Sequence, residues 1–214
     1  MSVSLNLSAI KNALPEEMQL IAVSKTKPNI LILEAYEAGQ KDFGENKAQE
    51  MAAKHHALPK DIRWHMIGHL QRNKVKYLID FVYLIHSVDS KRLLDEIQKQ
   101  AHKIDRKVAV LLQIHIAKED TKFGLDEYEL EAILKDKSNY SHILFKGLMG
   151  MATFTEDTHQ IDTEFAFLKS LFDRIQARLD QPAQLSAGMS ADYPLALKHG
   201  TTMIRIGSAI FGHR

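Results

Sequence analysis

Cysteine is missing from all 214 residues. That excludes disulfides, thiolate zinc sites and a cysteine nucleophile. No apolar run approaches the roughly 18 residues that a membrane-spanning helix needs. Residues 1–10 lack a basic segment leading into an apolar one, so no secretory signal is expected. Dense basic tracts are missing as well: the cluster at Lys74 and Lys76 is short and falls in a helical pattern. Net charge is only +1 and the sequence pI is near 7.9. Neither nucleic acid nor a membrane is therefore an expected partner, and a cytoplasmic monomer is the expectation. There is no H-E-x-x-H motif. His65 and His69 are four apart, but Gly68 breaks the helical face that metal ligation would need, so no metal is expected. Glu119 and Asp120 offer no paired-carboxylate geometry.

What is present is ordinary for a globular protein, with 45% hydrophobic and 26% charged residues. Short apolar runs alternate with longer amphipathic stretches. Strands are expected at Leu20–Ser24, Lys41–Phe43, Arg63–Ile67, Phe81–His86, Lys107–Ile116, Leu144–Met151, Ala183–Ala187 and Met203–Ile206. Helices are expected between them, at Asn29–Ala38, about Asn46–His56, Arg72–Leu78, Ser90–Lys103, Asp126–Lys135, Glu156–Leu179 and Ala191–Lys198, with another near the N-terminus. In the fifth strand Val108, Val110, Leu112 and Ile114 share one face, and the other face is apolar too, so both are covered. There is no linker or low-complexity segment, so residues 1–214 read as a single α/β domain. Eight βα units favour a closed (β/α)₈ (TIM) barrel over an open doubly wound sheet. The missing G-x-G-x-x-G after the first strand weakens a dinucleotide-binding version of the latter.

A closed barrel makes its eighth strand the neighbour of its first, with chemistry at the strands' C-terminal ends. The ends of strands one, seven and eight should then converge. Strand one ends at Lys25 in "IAVSKTKP". Alone it reads as a surface lysine. Partly desolvated in a barrel mouth, its neutral amine could form a Schiff base with a carbonyl. Lys27 is the competing candidate. "LSAGMSAD" brings Ser186, Met189 and Ser190 to the end of strand seven, and "RIGSAIFG" brings Arg205, Gly207 and Ser208 to the end of strand eight. Each segment alone reads as loop and capping chemistry, with Ser190 a plausible N-cap. Together, beside a strand-end lysine, they suggest a phosphate cup. Arg205 sits in an apolar run, either paired with a barrel carboxylate or facing a cofactor heteroatom. Asn46 reads as a helix cap, and Met149 and Met151 as barrel filling.

In order and spacing, "AVSKTKP", "FGENKAQE", "WHMIGHLQRNK", "IHSVDS", "FGL", "GLMGMA" and "LSAGMSADYPLALKHGTTMIRIGSAIFG" resemble the pyridoxal-phosphate-binding homeostasis protein family over residues 20–212. The resemblance implies a barrel like the N-terminal domain of alanine racemase, with pyridoxal 5′-phosphate as cofactor. It implies a Schiff base on Lys25 and phosphate on Ser186 to Ser190 and Gly207–Ser208. It also implies Arg205 near the pyridine nitrogen, with Asn46 and His65 lining the pocket. Ser208 stands where many relatives carry threonine, which keeps the hydroxyl. The expected function is a non-catalytic holder of pyridoxal phosphate in vitamin B6 homeostasis, with pyridoxal-phosphate-dependent apo-enzymes as possible recipients. The alternatives are an amino-acid racemase and a Lys25-dependent sugar-phosphate aldolase. A racemase is disfavoured because the chain ends at Arg214, just after the last strand, leaving no second domain to bring a catalytic tyrosine.

Overall fold

Eight parallel strands close on themselves in sequence order: β1 (Gln19–Val23), β2 (Asp42–Glu45), β3 (Arg63–Met66), β4 (Leu84–Val88), β5 (Val108–Ile114), β6 (Ile143–Gly150), β7 (Gln184–Met189) and β8 (Met203–Ile206). The barrel is sealed where β1 pairs with β8, Ile21 lying opposite Arg205 and Ala22 opposite Ile206. The computed structural model describes residues 2–119 and 123–212. Around the barrel lie α1 (Val3–Asn12), α2 (Asn29–Glu37), α3 (Ala48–Ala57), α4 (Lys91–Lys103), α5 (Glu127–Lys135), α6 (Thr158–Ile175), α7 (Tyr193–Lys198) and α8 (Ser208–Phe211). The architecture is the expected (β/α)₈ barrel with an additional helix, α1, before the first strand.

The sequence dictates this layering locally. In α4, Leu93, Leu94, Ile97 and Ala101 repeat at helical spacing and are fully buried. Each Leu or Ile so buried contributes roughly 1.5–3 kcal/mol. The Ser90 hydroxyl caps the first turn by accepting from Leu93 N–H, and Asp126 with Glu129 forms a reciprocal capping box at α5. Val108, Val110, Leu112 and Ile114 of β5 pack in the large core shared with the helices. Leu111, on the opposite face, joins Leu84, Met149 and Met203 in a small second cluster. Those four come from β4, β5, β6 and β8, so that cluster fills the barrel's interior.

Several elements depart from expectation. The fourth strand begins at Leu84, because Phe81 and Val82 N–H groups turn back to the Leu78 carbonyl before the ladder starts. It runs on to Val88, which pairs with Leu112. Arg72–Tyr77 is a 3₁₀ helix, not an α-helix. β8 is followed by a helix after all, the four-residue α8. Asn46 is not a cap: α3 starts at Ala48 behind Lys47. Ser190 is not one either, since Asp192 holds that position at α7.

Candidate functional site

Strand ends meet at one face of the barrel around a cavity of about 440 Å³. That volume suits a small-molecule ligand. Lys25, Asn46, Met189, Ser190, Arg205, Gly207 and Ser208 all line it. Val23, Ile67, Met151 and Ala152 supply apolar wall, and Thr153 to Thr155 close one side. A larger groove of about 780 Å³ runs past His69, Arg72, Asp89 and Arg92. It contains none of the residues from strands one, seven or eight. Among the described residues, no cluster of His, Asp and Glu could hold a metal. Asp120 lies outside the described residues.

Lys25 is held by its neighbours. Strand β1 ends at Val23, and Thr26 turns the chain with φ of 62°. Left-handed backbone is costly for a residue other than glycine, and here Glu50 secures it by accepting the Thr26 N–H at 2.6 Å. On the other side the Ser24 hydroxyl donates to Glu45 at 2.5 Å. The Lys54 ammonium ties the cluster together, donating to the Ser24 carbonyl, Glu45 and Glu50 at 2.7–2.8 Å. Burial pushes Glu45 above its ordinary value despite Lys54 and Ser24, and its second oxygen has no hydrogen-bond partner among the described residues. Lys25 therefore projects from an immobilised turn. Lys27 is directed elsewhere: its ammonium donates to the Phe211 and Gly212 carbonyls at 3.2 and 2.8 Å, at the end of α8. The turns after β7 and β8 are joined, Ser190 Oγ accepting the Gly207 N–H at 3.4 Å.

Two expected site residues lie deeper than the cavity. His65 was expected on the pocket wall and Ser186 among the phosphate contacts. Both are fully buried and neither lines the cavity. Ser186 Oγ instead accepts from Arg205 Nη1 at 2.5 Å and bonds His86 Nδ1 at 3.0 Å. His86 Nε2 meets His65 Nδ1 at 2.8 Å, and His65 Nε2 meets Asp42 at 3.0 Å. Asp42 and His86 went unnoticed in the sequence. The signal was there: both are polar residues inside strands whose other positions are buried.

Residues 2–214 match the family model described as alanine racemase, N-terminal domain. The chain is 39% identical over 198 residues to the pyridoxal phosphate homeostasis protein of Aquifex aeolicus, covering 92% of this chain and 87% of that one. It is 38% identical over 210 residues to the human protein of the same name, covering 92% and 76%. The chain belongs to the pyridoxal phosphate homeostasis protein family. PipY of Synechococcus elongatus, solved with pyridoxal phosphate bound, superposes with a TM-score of 0.90 at 36% identity, covering 99% of this chain and all of that one. Alanine racemase of Bartonella henselae shares the fold, with a TM-score of 0.77 at 18% identity over 58% of its length.

In this member of the pyridoxal phosphate homeostasis family, burial shapes the charges under the cavity. It draws Arg205 down to about 10, still far above neutrality, so the guanidinium remains charged. Burial also lowers His65, with Asp42 only partly opposing, and lowers His86 well below its ordinary range. Both imidazoles hold a proton less tightly in the folded chain than in the unfolded one, His86 most of all, so unfolding takes up protons as pH falls through the unfolded value of 6.5. The unfolded chain then binds more protons, so this stability is complete well above pH 6.5 and is lost as pH falls from there through the lowered folded values. The loss reaches up to about 1.4 kcal/mol per pH unit for each histidine. Urea unfolding at pH 7.5 and 5.5 should show a larger loss in the wild type than in His86→Gln. Equal losses would contradict a neutral buried His86.

Proposed function

We propose that this protein holds pyridoxal 5′-phosphate in the barrel-mouth cavity, covalently on Lys25, and thereby buffers its free level without turning over amino acids. The observation that carries this is the convergence of Lys25, the linked Ser190–Gly207–Ser208 turns and Arg205 on one cavity. The donor set fits the group part by part. Lys25 offers an amine for an aldehyde. The Ser190 and Ser208 hydroxyls offer neutral donors for a phosphate. Val23, Ile67 and Met151 would flank an aromatic ring, and Arg205 would donate to a ring nitrogen. The relative solved with pyridoxal phosphate bound supports the same reading.

When bound, pyridoxal phosphate supplies an amine-reactive aldehyde and an electron-withdrawing ring. Arg205 only donates. It leaves a ring nitrogen facing it unprotonated, which weakens that ring as an electron sink. This disfavours decarboxylase and transaminase chemistry and favours a holder. The protein acts as a monomeric, cytoplasmic single domain, delivering its cargo to apo-enzymes. Among the described residues, no helix is long and apolar enough to cross a membrane. Titrating cofactor-free protein with pyridoxal phosphate should give one equivalent bound, with a visible band that borohydride abolishes. Lys25-dependent interconversion of amino-acid enantiomers, followed by chiral chromatography, would replace the holder with a racemase.

A further inference from the structure

A line of polar side chains crosses the barrel interior from one end to the other. At one end Asp42, the first residue of β2, accepts from Arg63 at 2.5 Å and from Gln19 at 3.0 Å. At the other, Arg205 lines the cavity and donates to the Gly150 carbonyl at 3.0 Å, at the end of β6. Between them run His65, His86 and Ser186, all fully buried. The bond between His86 of β4 and Ser186 of β7 joins strands that are not neighbours, so it spans the lumen.

Hydrogen-bond bookkeeping fixes the direction of this line. An arginine can only donate and a carboxylate can only accept. Arg205 must therefore give its proton to Ser186 Oγ, and Asp42 must receive one from His65 Nε2. Each neutral group between has a single proton to pass on. Four links are then satisfied in only one way: Arg205 to Ser186, Ser186 to His86 Nδ1, His86 Nε2 to His65 Nδ1, and His65 Nε2 to Asp42. Any other assignment leaves two protons facing each other or a link with none, which is expensive in a buried network.

We propose that Asp42, His65, His86 and Ser186 are positioning residues for Arg205, forming a one-way hydrogen-bond chain that locks both histidines as Nε2–H tautomers. The chain fixes the plane of the guanidinium from beneath, since Ser186 and Gly150 together take two of its five N–H groups. It also connects the Arg205 charge to a carboxylate at the far end of the barrel. Among the described residues no carboxylate is hydrogen-bonded or ion-paired to Arg205; Asp192 acts on it only through space.

The tautomers can be read directly by long-range proton–nitrogen NMR of the cofactor-free protein at pH 7, assigned with His65→Gln and His86→Gln. Both wild-type histidines should show the Nε2–H pattern, and Ser186→Ala should disturb His86 by removing the donor to its Nδ1. An Nδ1–H tautomer or an imidazolium at either position overturns the chain, as does an unchanged His86 in Ser186→Ala. The positioning role rests on the proposed cofactor binding and is read separately. Ser186→Ala should bind pyridoxal phosphate about tenfold more weakly, the loss of one hydrogen bond to a charged group. Undiminished affinity in a folded Ser186→Ala overturns positioning. Absence of binding by the wild type would instead count against the proposed function, while the NMR result would still decide the chain.

Discussion

Lys25→Ala is expected to abolish the borohydride-sensitive band completely, while Lys27→Ala keeps it. The two amines are two residues apart but occupy different surroundings. Lys25 lines the cavity, whereas Lys27 is turned to the carbonyls that end α8. Among the described residues Lys25 is the only lysine on that cavity wall, so removing it leaves hydroxyl, amide and guanidinium contacts that hold a ligand without a covalent bond. Folding does not confuse the result. Lys25 is half-buried and its truncation should shift stability by no more than about 0.5 kcal/mol. The Ser24–Glu45–Lys54–Glu50 cluster that sets the turn stays in place. Lys27→Ala loses its hydrogen bonds to the Phe211 and Gly212 carbonyls at the end of α8, at a cost of about 1 kcal/mol. Absorbance before and after borohydride checks both variants. A band that survives in Lys25→Ala and disappears in Lys27→Ala would transfer the attachment to Lys27.

The second large effect lies in the barrel wall. Gly147→Ala should cost more than about 4 kcal/mol, against a total stability of about 5–15 kcal/mol for a typical domain. Gly147 has φ of 154°, and a Cβ there would sit 1.7 Å from the Gln184 carbonyl oxygen. That oxygen belongs to the backbone of β7, which pairs with Gly147, so it cannot swing away. On the other side the register between β5 and β6 shifts between Val110 and Leu111, where Gly147 takes its place in the ladder. Bulges of this kind bend a strand and tighten its twist. Gly39→Ala is the useful contrast. Its φ is 85°, but a Cβ there meets nothing within 4 Å. It should cost only about 1 kcal/mol from the left-handed backbone. Urea unfolding of the two variants measures the difference, and equal midpoints would contradict the packing argument.

The barrel was legible in the sequence because its strands are covered on both faces and so stand out as apolar runs between amphipathic helices. β5 is the clearest case. β4 was placed three residues early because Phe81-Val82-Tyr83 is as apolar as a strand, and only the backbone turn at Leu78 reveals that it is not one. The cavity residues Lys25, Ser190, Arg205, Gly207 and Ser208 were legible for a topological reason: each follows or ends a strand, and a closed barrel brings such positions together. His65 and Ser186 were placed too high. Alternation tells inside from outside, but not depth, and successive inward positions on a strand differ by roughly 7 Å along the axis. Depth depends on register between strands, which no single strand's sequence contains. Asp42 and His86 were missed for the same reason, since their partners come from other strands.

Lys25 is the proposed point of attachment. The most direct measurement loads the wild-type protein with pyridoxal phosphate, reduces it with borohydride, digests it and locates the modified residue by mass spectrometry. A single modified peptide is expected, with the added mass on Lys25. Modification confined to Lys27 or to any other lysine, with Lys25 unmodified, would contradict it.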